Sequence, residues 1–328
     1  MVRMLAVLAL LLVSSPAAVM AQAPSTGGER ADTPKAPQAE DVRLRRDMSD
    51  RMTVPVLLSG RGPYQFLVDT GANRTMISRQ LATQLNLPSS GQATLHSVVG
   101  TSIAPTAIVP TVNFTRKPMN SVETPLLESE HMGADGILGT DMLGSQRVIF
   151  DFGRQTMSVV PSVTHHFDEP GTIVIEGRRK NGRLIVTDAT ANGRQTTVVV
   201  DTGSEVTIGN EALRRALLKG GVSPNLQQIE LMSVTGRSLA GEFMLVRDFE
   251  VGGVTLTNLA VVFAPAHTFD QLGLNDRPAV LLGMNAIRSF RKVSIDFASL
   301  TMRVVVPDSG QNGLEAGRLT PGLMGGNL

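Results

Sequence analysis

Apolar positions in this chain fall in short, β-branched runs broken by Gly, Pro and Asn, and long stretches at helical spacing are rare. Thr53-Val54-Pro55-Val56-Leu57-Leu58 meets the Gly-rich turn Ser59–Pro63 and restarts as Tyr64-Gln65-Phe66-Leu67-Val68, which predicts a hairpin. After Asp69-Thr70-Gly71 and the short run Thr75-Met76-Ile77, Ser78 is placed to cap a short helix through Leu85 that stops near Pro88. A second hairpin is predicted at His96–Thr101, with further strand at Ala107-Ile108-Val109 and Val112-Asn113-Phe114. Gly136-Ile137-Leu138-Gly139 reads as a short helical turn, and Val148–Phe152 with Thr156–Val160 as a strand pair.

The same order then recurs. Leu184-Ile185-Val186 turns through Ala191–Arg194 into Thr197-Val198-Val199-Val200, and Asp201-Thr202-Gly203 follows, 132 residues after the first such tripeptide. Thr207-Ile208 matches Met76-Ile77, and Asn210 caps a helix predicted from Glu211 to about Leu218, ending at Gly220-Gly221. Met232–Ser238 aligns with His96–Ser102, Leu281-Leu282-Gly283 with Ile137-Leu138-Gly139, and Val293–Val305 with Val148–Val160. One matching tripeptide arises easily by chance. Several landmarks in a kept order mark an internal duplication.

Composition adds to this picture at the ends of the chain. With 328 residues and 42% hydrophobic content a sizeable core is within reach, and the scarcity of aromatics beside abundant Val, Thr and Gly leans towards strands and turns. Arg3, an apolar run from Met4 to Val13 and small residues up to Ala21 and Ala23 predict a signal peptide over residues 1–23, too short to span a bilayer. Residues 24–51 are Pro-, Gly- and charge-rich, which predicts a flexible leader; a propeptide that blocks a cleft through its arginines is the sharper alternative. The expected division continues with a lobe at 52–161, a linker at 162–170, a second lobe at 171–306 and a disordered tail at 307–328.

Export to a periplasm or beyond is the expected destination, and the absence of Cys fits an oxidising compartment. Arg3 is the only charged residue of the first 23, so the remainder balances 29 basic against 29 acidic residues, which argues against a nucleic-acid partner. No His-Glu-x-x-His, Gly-x-Ser-x-Gly, P-loop or cysteine nucleophile is present, so neither a metal nor another cofactor is expected.

Two aspartates on matching Gly-turns, each at the end of an apolar strand, suggest one shared site. Two carboxyl groups about 3 Å apart cannot both ionise cheaply, so one keeps its proton and the pair titrates as a unit. Such a pair can activate a water with one member while the other polarises a carbonyl.

The repeated apolar-Asp-Thr-Gly-(Ala/Ser) run, with an apolar-apolar-Gly motif downstream in each half, resembles the aspartic proteases. More narrowly it resembles their retroviral-type (retropepsin-like) branch duplicated within one chain, as in an exported bacterial member. The likeness covers about residues 52 to 306. It implies a mainly β protein of two closed-barrel acid-protease lobes related by a pseudo-twofold axis, with a short helix or two per lobe. It implies that Asp69 and Asp201 form the catalytic dyad, that Thr70 and Thr202 hydrogen-bond across the axis, and that Gly71 and Gly203 let backbone donate to the carboxylates. Ser204, where the first half has Ala72, is expected to bond an outer oxygen of Asp201 and favour its ionised form.

Hairpins at Val99-Gly100 and Thr235-Gly236 stand where that family carries substrate-covering flaps. The flap tyrosine of pepsins is missing, since Tyr64 precedes the first Asp. The implied activity is that of an endopeptidase acting on extended polypeptide as a monomer, both aspartates coming from one chain. The alternative is a catalytically silent peptide-binding or envelope interaction module on the same fold.

Overall fold

The computed structural model describes residues 52–115, 118–162, 169–219 and 226–307, together with the backbone of short strands at Arg3–Leu5, Ala9–Leu10, Val42–Arg43 and Leu314–Glu315. The rest of the expected signal peptide and of the leader, residues 163–168 of the linker, Gly220-Gly221 and the rest of the tail beyond Pro307 lie outside the described residues. No helix among the described residues is long and apolar enough to cross a membrane.

The fold is mainly β, with two lobes that share their order of elements. In the N-terminal lobe the hairpin of Thr53–Leu58 and Arg61–Val68 leads straight to Asp69. Gly136–Leu138 runs parallel to Phe66–Val68 and antiparallel to Met76-Ile77, so it threads between the strand before Asp69 and the strand after Gly71. This corrects the expected helical turn. Four apolar residues carry no period of their own, and a full ladder on both sides outweighs a local turn. The helix follows at Thr140–Leu143. The long hairpin of Ser89–Ser97 and Gly100–Asn113 continues into Met119–Leu127, which pairs with both Gly100–Asn113 and Ile77-Ser78, so the hydrogen-bonded path returns on itself.

The C-terminal lobe repeats the plan. Thr197–Val200 is flanked in parallel by Ala279–Leu282, which lies antiparallel to Ile208-Gly209. Gln227–Met232 and Ser238–Val251 form the matching hairpin, and the first strand is broken into Arg183–Val186 and Ala189–Ala191. Both predicted helices carry their expected caps. Ser78 Oγ accepts from the Leu81 N–H at 3.1 Å ahead of Arg79–Gln84, and Asn210 Oδ1 accepts from the Leu213 N–H at 2.9 Å ahead of Glu211–Leu218.

A third sheet joins the lobes. Its strands lie in the order Thr172–Glu176, Thr301–Val305, Lys292–Asp296, Gln146–Asp151, Thr156–Pro161 and Val42–Arg43, so the closing strand pairs of both halves meet edge to edge at Gln146–Asp151 and Lys292–Asp296. Arg147 and Asp296, each 1% exposed, bond across that seam at 3.1 Å, and Ser162 Oγ donates to Asp296 at 2.6 Å. Asp296 also accepts the Ala298 and Ser299 N–H groups, while Asp135 accepts from Gln65 and Asp151 from Arg154. These carboxylates serve backbone turns and strand ends.

Candidate active site

Each Asp-Thr-Gly turn hangs from a buried strand, and the two turns meet on the axis between the lobes. Thr70 Oγ1 donates to the Val200 carbonyl at 2.8 Å and accepts the Thr202 N–H at 3.0 Å. Reciprocally, Thr202 Oγ1 donates to the Val68 carbonyl at 2.7 Å and accepts the Thr70 N–H at 3.1 Å. Four buried hydrogen bonds thus lock loops that are 132 residues apart. A Cβ at Gly203 would overlap the Asp69 carboxyl, so only glycine lets the second turn come this close to the first aspartate.

Asp69 and Asp201 are both fully buried. Asp69 Oδ1 accepts the N–H groups of Gly71 at 2.7 Å and Ala72 at 3.1 Å, and Asp201 Oδ1 accepts that of Gly203 at 3.1 Å. Oδ2 of each aspartate is buried and accepts from no peptide or hydroxyl donor, and the two carboxyls act on each other. Burial pushes the Asp69 carboxyl up to about 6, against the pull of its two peptide donors and of Arg183. Burial and the neighbouring Asp69 push Asp201 well above the usual carboxylate range. Above about pH 6 the pair therefore holds one proton and one negative charge. A cavity of about 10 Å³, room for about one water, lies against Asp69, Thr202 and Gly203.

The Ser204 hydroxyl does not face Asp201. It donates to the Val206 carbonyl at 2.7 Å, two residues further along the chain, so the expected preference for ionised Asp201 has no support. Asp69 Oδ1 accepts its two peptide N–H groups at 2.7 and 3.1 Å, while the Gly203 N–H meets Asp201 Oδ1 at 3.1 Å and the Ser204 N–H acts on the same carboxyl.

Behind each turn the motif after the apolar-Gly pair acts as a strut. In the first lobe Thr75 donates its N–H and its hydroxyl to Asp141, and Thr75 Oγ1 accepts the Gly139 N–H at 3.1 Å. In the second, Thr207 does the same to Asn285, and Thr207 Oγ1 accepts the Gly283 N–H at 3.2 Å. A Cβ at Gly139 would meet the Arg74 backbone, and one at Gly283 the Val206 backbone, so both glycines permit close backbone crossing.

The two hairpin tips cross over the axis. Val98 is fully buried among Val206, Ile208, Phe269 and Leu281 of the opposite lobe, and its carbonyl accepts the His267 N–H at 2.9 Å. Val234 is buried among Ala72, Met76, Met132 and Ile137 of the first lobe. Gly236, at φ +76°, lies against the His131 ring, and Arg237 Nη1 donates to the Thr101 carbonyl at 3.1 Å beside Gly100. Of the tip residues expected to matter, Val99 and Thr235 are flanking positions. The preceding valines, aligned in sequence as Ser-Val-x-Gly in both hairpins, make the buried apolar contacts across the lobes.

The sequence reading missed Arg183. This side chain is 1% exposed, at the start of the second lobe's first strand, and its Nε donates to the Gly71 carbonyl at 2.9 Å. Burial pulls its proton affinity down to about 10, while Asp201 and Asp69 oppose that pull. A lone Arg before an apolar run carries no signal that separates it from a surface residue. No group of three or more His, Cys, Asp or Glu placed to hold a metal occurs among the described residues.

Known families match the chain twice. Residues 54–145 match the family described as "gag-polyprotein putative aspartyl protease", and residues 187–286 match "Aspartyl protease". Each match contains one Asp-Thr-Gly turn and its downstream apolar-Gly motif. No curated protein matches the chain at a significant level.

Proposed function

Because the chain belongs to the aspartyl protease family, with retropepsin-like domains in tandem, we propose that it is an aspartic endopeptidase whose dyad is Asp69 and Asp201. The observation that carries this reading is the reciprocal Thr70–Thr202 lock, which brings the Asp69 carboxyl against Gly203 of the other turn. One buried pair with one proton has the two functions that peptide hydrolysis needs.

In the proposed reaction a water between the carboxyls gives a proton to the ionised aspartate as its oxygen bonds to the scissile carbonyl carbon. The protonated partner gives its proton to the carbonyl oxygen, yielding a neutral gem-diol. Collapse breaks the C–N bond, returns a diol proton to an aspartate and delivers a proton to the leaving amine. No covalent enzyme intermediate forms. Thr70, Thr202, Gly71 and Gly203 hold the turns, and the hairpin tips around Val99-Gly100 and Thr235-Gly236 lift to admit an extended polypeptide. The protein acts as an exported monomer.

Digestion of unfolded casein by residues 24–328 in ¹⁸O-labelled water tests this. The expected result is internal cleavage between pH 3 and 7, one ¹⁸O in each new C-terminus, and inhibition by a pepstatin-type inhibitor. Complete inactivity across that range would overturn the reading in favour of a peptide-binding module.

A further inference from the structure

Among the described residues two arginines are almost fully buried, and their surroundings differ. Arg147 bonds Asp296. Arg183 directs Nε and Nη2 to the carbonyl of Gly71 in the other lobe, and its Nη1 is buried with no hydrogen-bond partner. A guanidinium removed from water is costly unless opposite charge lies near it, and the carboxyls that act on it are Asp69 and Asp201.

The peptide unit that Arg183 holds is itself informative. The Gly71 carbonyl and the Ala72 N–H belong to one peptide group, and that N–H donates to Asp69 Oδ1 at 3.1 Å. A cation on the carbonyl end polarises the group and strengthens donation from its other end. The chain of contacts runs Arg183 to Gly71 carbonyl, through the peptide to the Ala72 N–H, and on to Asp69.

We propose that Arg183 is a positioning residue for the dyad, one that fixes the Gly71–Ala72 peptide and supplies the positive charge that balances the single negative charge of the Asp69–Asp201 pair. The proposal rests on the aspartic-protease reading of that pair. Its charge acts on both aspartates, while its hydrogen bonds reach only the first turn, through the Gly71 carbonyl.

The sign of the effect follows. Removing a positive charge disfavours the ionised forms, so both steps of the pair's titration move to higher pH. In Arg183→Met both limbs of the pH profile should shift alkaline by about one unit, with kcat falling more than KM rises. Arg183→Lys keeps the charge and loses the two-nitrogen contact, so a smaller shift in the same direction is expected.

Titration of ¹³C-labelled aspartate carboxyls by NMR, on the wild-type chain and both variants, reads the same shift without any substrate. Unmoved carboxyl titration in folded Arg183→Met would overturn the proposal; if that variant does not fold, unmoved titration together with wild-type kcat in Arg183→Lys would do so. Wild-type protein that cleaves nothing yet shows the Arg183-dependent titration would count against the peptidase reading alone.

Discussion

At Asp69 the Gly71 and Ala72 N–H groups reach one carboxyl oxygen at 2.7 and 3.1 Å, whereas at Asp201 the Gly203 N–H lies at 3.1 Å with the Ser204 N–H acting beside it, and Arg183 acts on both carboxyls. Behind the first turn the strut is a carboxylate, Asp141, which burial pushes above its usual range; behind the second it is the amide of Asn285, which does not titrate. The Thr70–Thr202 lock, by contrast, is the same from either side, with matching bonds between 2.7 and 3.1 Å. Symmetric contacts fix where the turns sit, and asymmetric ones give each carboxyl different surroundings. A duplicated unit can therefore keep one geometry while its two carboxyls take different roles.

The sharpest way to break this comparison is at the closest approach. Gly203→Ala would drive a methyl into the Asp69 carboxyl, and kcat/KM should fall about 10²-fold or more, by the cost of misplacing a catalytic group by an ångström. Circular dichroism on the same sample checks that the fold survives. Near-normal activity would mean that the turns are not held as close as described.

Symmetry of the lock is tested by Thr70→Val and Thr202→Val. Each leaves a buried carbonyl and a buried N–H without a partner, at a cost of about 2–4 kcal/mol in urea unfolding. The two losses should agree within about 1 kcal/mol of each other; a clear inequality would show that one lobe carries the interface.

The charge on Asp69 has a stability signature. Its folded value, about 6, lies above the usual 3.8, so the folded state binds this proton more tightly than the unfolded chain. Stability from this group is full below about pH 3.8 and is lost as pH rises through about 6. Asp69→Asn removes that loss and should stabilise the protein at pH 7 by about 1–3 kcal/mol. The gain should vanish near pH 3.5 in melting experiments.

The smallest effect concerns Ser204. Its hydroxyl serves the Val206 carbonyl, so Ser204→Ala should cost about 1 kcal/mol of stability and leave the acid limb of the pH profile in place. A moved acid limb would return the hydroxyl to Asp201.

Much of this was legible in the sequence because it is local. The Asp-Thr-Gly turns, the Ser78 and Asn210 caps and the hairpin order are each written within a few residues. Gly136–Leu138 is not legible locally, because so short an apolar run looks alike as helix or strand until the flanking ladders are known. The shared sheet pairs Val148 with Ile295, and Arg183 reaches Gly71 from 112 residues away, so neither has a local signature. Ser204 stands beside a carboxyl in sequence, while the backbone turn directs its hydroxyl to the Val206 carbonyl.

The central claim is that two carboxyls from two lobes make one reaction centre. Cleavage of unfolded casein by the wild-type chain, Asp69→Asn and Asp201→Asn, measured from pH 3 to 7, tests it most directly. Inhibitable cleavage by the wild type and a loss of about 10³-fold or more in each variant is the predicted result. Full activity in either variant would contradict it.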